Sequence, residues 1–411
     1  MSRFDIVQGQ SKAWTILARA HAAGKVASTY LFHGPEGVGA WSLAIEFAAL
    51  LNCESPLGTP DRPDTRRPCG ECRNCRLVHD LNFEGLHLIV PLPPHKEQAD
   101  SGTVVDEAGR VARGKARADD DDEVPEDTIG LTNLVLKSKR EEPFALLDRA
   151  RSISIPIELA RKVKRQLSVR GPAGIVRVVV FYQMDTMRPV SADALLKLIE
   201  EPPTDTVIIL TALNPDKILP TILSRAQKIR LDRLPEPMIV RYLVEKYKVS
   251  ETEARRAARV TERSLGRAIS ILPVEGEERS DTREIAWILF RALVHGSASE
   301  LVGRMSESLN FRDRGQAQEL VLAWQSLLRD CAWMAHTGDD AELVNVDHTH
   351  EISEMAVRFG DASAVQRMIV TTKNTLADLQ LNVHIQPALL AMALKLKVDL
   401  QPDGKAAARR I

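Results

Sequence analysis

Short apolar runs alternate with amphipathic stretches along about the first 230 residues of the chain. The apolar runs predict strands at residues 30–33, 86–90, 175–182, 206–211 and 227–231. Helical periodicity predicts helices at residues 12–24, 42–51, 156–169, 191–200 and 219–224. The run at 175–182 is apolar enough to be buried on both faces, as strands of parallel sheets are. The alternation therefore predicts a three-layer α/β domain with a parallel sheet.

Beyond Leu234 the pattern predicts helices and no further strands. Short helices are expected at residues 237–248, 252–260 and 264–272, and longer ones at 283–295, 298–309, 312–337, 350–357, 360–380 and from about 385. The charged stretch at 275–281 is typical of a linker. We therefore predict an α/β domain at residues 1–232, a small helical lid domain at 233–275 and an all-α bundle at 282–400.

One segment interrupts the α/β pattern. Residues 96–128 carry an acidic run, 119–123, and few large apolar side chains. Such a composition buries too little apolar surface to offset the entropy of ordering, so we predict a disordered or poorly ordered insertion. An acidic binding segment is the alternative. Ordered structure is expected to resume at Pro143.

Composition excludes some functions. The chain has 411 residues, 44% hydrophobic and 27% charged, with a formal net charge of −1. This balance gives no general attraction to nucleic acid, so any DNA contact is local or made through partners. The N-terminus has no signal-peptide pattern, and no apolar stretch approaches the ~18 residues of a membrane span. We therefore expect a cytoplasmic protein without membrane contact.

A glycine-rich turn, GPEGVGAW at residues 34–41, lies between a predicted strand and a predicted helix. This is the context of the phosphate-binding P-loop, G-x-x-x-x-G-K-[ST]. Gly34 and Gly39 stand at the glycine positions of that motif, but Ala40 replaces the lysine and Trp41 replaces the Mg²⁺-binding hydroxyl residue. We predict a degenerate loop whose glycines make the turn. The alternative is that its N–H groups still bind an anion.

The second half of an ATP site is also missing. A Walker B strand ends in two acids, one for Mg²⁺ and one for the attacking water. Here those positions are Tyr182 and Gln183, and Asp185 follows two residues too late. Because the site is lost in two separate stretches, we predict that the chain binds no ATP in its own site.

Four of the five cysteines cluster, with Cys69, Cys72 and Cys75 in two C-x-x-C steps and Cys53 after the preceding helix. Four thiolates suit a closed tetrahedral Zn²⁺ site of structural type. The sequence therefore predicts a structural zinc module at residues 53–75. Four reduced cysteines without metal are the alternative. Cys331 is predicted to lie in a helix core.

Two arginines have two interpretations each. Arg225 follows the predicted short helix at 219–224. It is either a surface residue or an arginine finger given in trans to the γ-phosphate of a neighbouring subunit. Arg267 opens a helix, and is either a nucleotide sensor or, as we favour, a surface residue near a helix cap.

These stretches resemble the clamp-loader AAA+ family of bacterial DNA polymerase III, over residues 1 to about 275 and weakly beyond. The matching stretches lie at residues 7–10, 31–39, 82–91 with His87, 194–203, 219–225 and 264–268, together with the four cysteines. The run LLKLIEEPP at 195–203 is quite specific to that family. The chain departs from the family pattern at Ala226, where a cysteine is usual, and through its acidic insertion.

The resemblance implies a role as well as a fold. ATP-hydrolysing members keep the P-loop lysine and the Walker B acids, whereas other members serve as a rigid stator at one end of a five-subunit arc. Such a member is held by a C-terminal helical collar and presents its arginine, here Arg225, to the ATP of the adjacent subunit.

The partners implied are gamma/tau motor subunits and delta subunits in a hetero-pentamer, with the sliding clamp and primer-template DNA reached through the complex. The chain itself would not hydrolyse ATP, although it works within the DNA polymerase III holoenzyme. Two alternatives stay open: an ATP-hydrolysing motor subunit of the same complex, and a zinc-dependent DNA-binding protein. The near-neutral charge of the chain and its lack of a basic stripe count against the second.

Overall fold

The computed structural model describes residues 7–59, 62–93, 125–147, 153–169, 171–188, 191–192, 195–272, 282–340, 343–380 and 383–400. The chain divides into two units, Met1–Ile271 and Leu272–Ile411. The acidic run at 119–123, and all of the predicted insertion up to residue 124, lie outside the described residues.

A five-stranded sheet is the centre of the first unit. Its strands are β1 (Thr29–His33), β2 (Leu86–Ile89), β3 (Arg177–Phe181), β4 (Thr206–Ala212) and β5 (Gln227–Arg230). All neighbouring pairs are parallel, in the order β2-β3-β4-β1-β5. Every residue of β3 and β4 is buried, which explains why their sequences are continuous apolar runs and not alternating ones. The predicted parallel α/β sheet is confirmed.

Ten α-helices are described in this unit. They are α1 (Ser11–Ala22), α2 (Ala40–Leu51), α3 (Arg73–His79), α4 (Glu126–Glu141), α5 (Ile157–Ser168), α6 (Leu196–Glu200), α7 (Pro220–Leu223), α8 (Glu236–Tyr247), α9 (Glu251–Val260) and α10 (Leu265–Ser270). Short 3₁₀ helices lie at Gln8–Gln10, Pro63–Thr65, Met184–Thr186 and Pro215–Lys217. The start of α9 is fixed by a capping box between Ser250 and Glu253.

Helix α4 corrects the sequence prediction, which extended the disordered insertion to residue 128 and resumed structure at Pro143. The helix begins at Glu126, with acidic residues in its first turn and basic residues in its last, an arrangement that suits the helix dipole. Leu131, Val135 and Leu136 pack against the core of the α/β domain. Few apolar residues are needed because one face alone is covered, and the polar remainder concealed the helix in the sequence.

The second unit is entirely helical where it is described, so the predicted all-α C-terminal part is confirmed. Its helices are α11 (Thr282–His295), α12 (Ala298–Ser308), α13 (Arg314–Thr337), α14 (Thr349–Ala356), α15 (Ala362–Gln380) and α16 (Ile385–Asp399), with 3₁₀ turns at Val346–His348 and Val357–Phe359.

The core of the second unit is built around Trp324. Its side chain is fully buried, and its indole N–H donates to the carbonyl of Ala286 at 3.0 Å. Buried Asp330 accepts hydrogen bonds from the backbone N–H groups of Val344 and Asn345, which holds the loop after α13. Among the helices of the described chain, none combines the length and apolar character needed to cross a bilayer.

Candidate functional site

The P-loop turn between β1 and α2 depends on the backbone conformations of its glycines. Gly37 and Gly39 have positive φ angles of 74° and 101°, a region that residues with a Cβ rarely adopt. A Cβ on Gly39 would also come within 2.9 Å of Cε1 of Phe144. These glycines are therefore required both by the turn and by close packing against it.

Trp41 and Tyr182, which stand at the motif positions for a hydroxyl residue and an acid, contact each other. Trp41 is 2% exposed and Tyr182 is 8% exposed. Their rings meet edge to face, with centroids 5.2 Å apart and an interplanar angle of 78°, a favoured aromatic geometry. Mg²⁺ takes oxygen ligands in octahedral geometry and keeps several waters. The pair has one side-chain oxygen, the hydroxyl of Tyr182, and that hydroxyl accepts a hydrogen bond from Nζ of Lys139 at 3.1 Å.

The residues just after β3 are hydrogen-bonded to β4 and to the loop that follows it, at the carboxyl edge of the sheet. In open α/β sheets, ligands bind at this edge. The backbone N–H of buried Gln183 donates to Oγ1 of Thr211 at 2.8 Å. The carboxylate of Asp185 accepts from the backbone N–H groups of Leu213 and Asn214, at 3.3 and 3.0 Å. Asp185 thus positions the loop after β4, and does not stand in for the missing acids.

Five of the six residues predicted to mark a degenerate ATP site line one cavity, together with Lys139 from α4; they are Gly39, Ala40, Trp41, Tyr182 and Gln183, and Gly34 is not among the lining residues. The cavity volume, counted as the space open to the centre of a water molecule, is about 20 Å³. That volume holds about one water molecule.

Helices α8 to α10, called here the small helical part of the first unit, pack on the P-loop. The backbone N–H of Gly266 donates to the carbonyl of Gly37 at 3.0 Å, and the hydroxyl of Ser264 donates to the carbonyl of Glu36 at 2.7 Å. Nη2 of Arg267 lies 3.4 Å from the carboxylate of Glu36. Arg267 therefore contacts the P-loop itself, through an ion pair.

The four clustered cysteines converge as predicted. Their sulfur atoms all lie within 4.8 Å of one another, and Sγ of Cys69 and Cys75 are 3.9 Å apart. A tetrahedral site with Zn–S bonds of ~2.3 Å separates its sulfurs by ~3.8 Å. All four thiols are free of disulfides. The donor set therefore fits a metal of the Zn²⁺ type.

Backbone N–H groups point at the sulfurs and favour their thiolate forms. The N–H of Cys69 donates to Sγ of Cys53 at 3.3 Å, and that of Cys72 to Sγ of Cys69 at 3.3 Å. Partial burial raises the pKa of Cys69, but hydrogen bonds from the amides of Cys72 and Glu71 bring that pKa down to about 7. Burial raises the pKa of Cys53 and of Cys75, so a bound cation is needed to hold both as thiolates.

Asn52 joins the cysteine segment to the sheet. Its side chain exchanges two hydrogen bonds with the backbone of Val176, both of 3.0 Å. Its own carbonyl accepts from the side-chain amide of Asn74 at 3.0 Å. The cysteine segment is thus attached to the residues just before β3, and a structural metal there would support the α/β domain.

Arg225 stands one residue beyond the C-cap of α7. Its side chain is 43% exposed, and its guanidinium pairs with Glu200 at 3.1 Å and donates to the carbonyl of Thr221 at 2.9 Å. It is not among the described residues that line the cavity of its own chain. The guanidinium is held in a defined direction and remains accessible to another molecule.

Comparison with known proteins gives the family. The family model for DNA polymerase III, delta subunit, matches residues 9–235, more than half of the chain. The chain belongs to the DNA polymerase III clamp-loader family.

Relatives within this clamp-loader family are of two kinds. The chain is 26% identical to DNA polymerase III subunit tau of Escherichia coli over 345 residues, which are 81% of this chain and 43% of that one. It is 23% identical to DNA polymerase III subunit delta' of Escherichia coli over 388 residues, 94% of this chain and 93% of that one. The chain spans less than half of the tau subunits that it matches.

A solved structure, of a DNA polymerase III gamma subunit-related protein from Thermotoga maritima, is 17% identical to the chain. The alignment covers 60% of this chain and 81% of that one, with a TM-score of 0.33.

Sequence reasoning missed Lys139. Lys139 is 2% exposed. Its ammonium group lies 4.5 Å from the ring centroid of Tyr182 and 5.8 Å from that of Trp41. The one local signal was the i, i+4 spacing of Leu131 and Val135, which predicts a helix leading to it. The position of its ammonium group depends on contacts distant in sequence.

Proposed function

We propose that this clamp-loader family member is a non-hydrolysing subunit of the delta-prime type, which assists the loading of a sliding clamp onto primed DNA. The observation that carries the proposal is the packing of Trp41 against Tyr182. These side chains stand where an ATP-hydrolysing member needs a Mg²⁺-binding hydroxyl and an acid. The chain would therefore act in the complex without turning over ATP in its own site.

The exposed guanidinium of Arg225 supports a contribution to a neighbouring ATP site. A planar, always charged guanidinium stabilises the charge that develops on a transferring phosphoryl group. The ion pair with Glu200 is partly exposed and therefore weak, so Arg225 can exchange it for a phosphate at small cost. Arg225 would be the finger that this subunit gives in trans.

The partners proposed are gamma/tau motor subunits and a delta subunit in a cytoplasmic hetero-pentamer. The formal net charge of −1 fits a subunit that reaches DNA and the clamp through the complex and not by itself. The four cysteines would hold one structural Zn²⁺ that stabilises the α/β domain through Asn52. Alignment with delta' along 94% of this chain supports the delta-prime type.

The experiment is reconstitution with the motor and delta subunits of the same organism. A stable five-subunit complex that contains one copy of this chain, and whose clamp loading requires it, is the expected result. Self-assembly of the chain into an ATP-hydrolysing complex would contradict the proposal. That outcome would favour the second candidate, a motor subunit, which the 26% identity to tau suggests.

A further inference from the structure

Lys139 is a buried cation that contacts several separate parts of the chain. Its ammonium group donates to the hydroxyl of Tyr182 at 3.1 Å and to the carbonyl of Ala145. It also lies near the ring faces of Tyr182 and Trp41, which attract cations. A buried ammonium group is costly unless it is paired. Here its hydrogen bonds and ring contacts bind the end of α4 to the residues of the degenerate site.

Glu142 makes a second set of contacts, three residues further on, to helix α8 of the small helical part. Its side chain is 12% exposed, and its carboxylate accepts hydrogen bonds from Tyr242 at 3.0 Å, Lys246 at 2.7 Å and Tyr247 at 2.5 Å. Burial and the Glu142 carboxylate raise the pKa of Tyr247, so that hydroxyl keeps the proton it donates. Charge-assisted bonds of this kind are the stronger ones.

Phe144 lies between the P-loop and α10. Cβ atoms added to Gly39 and to Gly266 would come within 2.9 Å of the Phe144 ring and 2.6 Å of its carbonyl oxygen. The Phe144 ring also meets Tyr242 edge to face, with centroids 5.8 Å apart. Gly39 and Gly266 thus both pack directly against Phe144. This residue contacts the α/β domain and the small helical part at the same time.

We propose that residues 139–147, the bridge segment, are an internal ligand of the degenerate cleft. Lys139, Pro143 and Phe144 of the bridge segment line the cavity beside the P-loop, and the segment joins the P-loop side to α8 and α10. It therefore holds the small helical part in one position without any nucleotide. The proposal rests on the proposed function in one respect only, that the cleft takes no ATP.

Hydrogen exchange of the full chain, measured by mass spectrometry without nucleotide, tests the bridge. In Glu142→Gln the carboxylate charge is lost, so the amides of α8 and α10 should exchange on the order of tenfold faster, with the sheet unchanged. The matched control is Glu141→Gln, because Glu141 is exposed and only its backbone carbonyl meets Lys246. The control should exchange as the wild type does.

A second pair of variants tests the other end. Lys139→Met keeps the length of the side chain but removes its cation, and should also speed the exchange of α8 and α10. Lys137→Met, on the exposed side of the same helix, should not. Should Glu142→Gln fail to fold, Tyr247→Phe removes one donor from the other side of the contact and is expected to give a smaller change of the same kind.

Wild-type exchange rates in α8 and α10 for both Glu142→Gln and Lys139→Met would overturn the bridge. Failure of the proposed function has a different signature. Slower exchange around the P-loop of the wild-type chain on adding Mg²⁺ and ATP would show nucleotide binding, whatever the variants do.

Discussion

The indole ring of Trp41 packs edge to face on the phenol ring of Tyr182, with centroids 5.2 Å apart. Trp41 is the last residue of the P-loop motif and Tyr182 directly follows β3, so the pair joins the two stretches from which an ATP site is assembled. Each residue alone is a substitution at a motif position. Together they form a buried contact that is incompatible with a hydrated metal ion between them.

We predict that Ala40→Lys does not restore ATP binding. The new lysine would enter a cavity of about 20 Å³ that the ammonium-bearing Lys139 also lines, and Trp41 would still lack the hydroxyl that binds Mg²⁺. Equilibrium binding of fluorescent ATP with Mg²⁺ should stay undetectable up to millimolar concentrations of free nucleotide. Micromolar, Mg²⁺-dependent binding by this single variant would show that the lysine was the only part missing.

The zinc proposal predicts about one Zn²⁺ per chain, the number that four thiolate ligands hold. Cys72→Ser should lose the metal and lower the thermal stability of the α/β domain. The cysteine segment, which is attached to the sheet through Asn52, would no longer be held together by Zn²⁺. Metal analysis and thermal unfolding measure the two effects. Cys331→Ala is the control, since Cys331 is buried in the second unit and should keep the metal.

The same site should bind zinc more tightly as pH rises. Burial raises the pKa of the Cys53 and Cys75 thiols, so metal binding must release their protons, and proton release is favoured at higher pH. Competition with a zinc-sensitive dye across pH 6 to 8 measures this trend, allowing for the titration of the dye. An apparent affinity independent of pH would argue against thiolate ligands.

Arg225→Ala should leave assembly of the clamp-loader complex intact, because the partly exposed pair with Glu200 contributes little to stability. Hydrolysis at the adjacent motor site should fall on the order of 10³-fold, the magnitude typical of a lost arginine finger. In Arg225→Lys the hydrolysis rate should fall nearly as far, because an ammonium group lacks the planar fork of a guanidinium.

Single-turnover hydrolysis in the reconstituted complex measures the loss of the finger. Arg230→Ala is a suitable control, because Arg230 is also an exposed arginine, 80% exposed at its side chain. Equal rates for Arg225→Ala and Arg230→Ala would remove the finger role from Arg225.

Much of the fold was predictable because its signals are local. The continuous apolar run that contains β3 indicated a strand of a parallel sheet, and the structure confirms one at Arg177–Phe181. The substitutions at Ala40 and Trp41 were visible because the P-loop motif fixes positions in sequence. The convergence of the four cysteines was visible for the same reason, as C-x-x-C steps bring sulfurs together.

The bridge segment was not predictable by such means. In the sequence, helix α4 directly follows a polar, acidic stretch whose composition dominated the prediction. Few of the side chains of α4 are apolar. What makes Lys139 notable is its contact with Tyr182, 43 residues away, and what makes Glu142 notable is its contact with Tyr247, 105 residues away. Neither pairing has a spacing rule, so only the folded chain reveals it.

Equilibrium binding of labelled ATP to the isolated wild-type chain, with and without Mg²⁺, tests the central claim most directly. We predict no saturable binding up to millimolar nucleotide, because Trp41 and Tyr182 stand where the motif needs its Mg²⁺-binding hydroxyl and acid, and because Lys139 and Phe144 line the cleft. Tight binding that requires Mg²⁺ would contradict it, and would make this chain an ATP-binding member of the clamp-loader family.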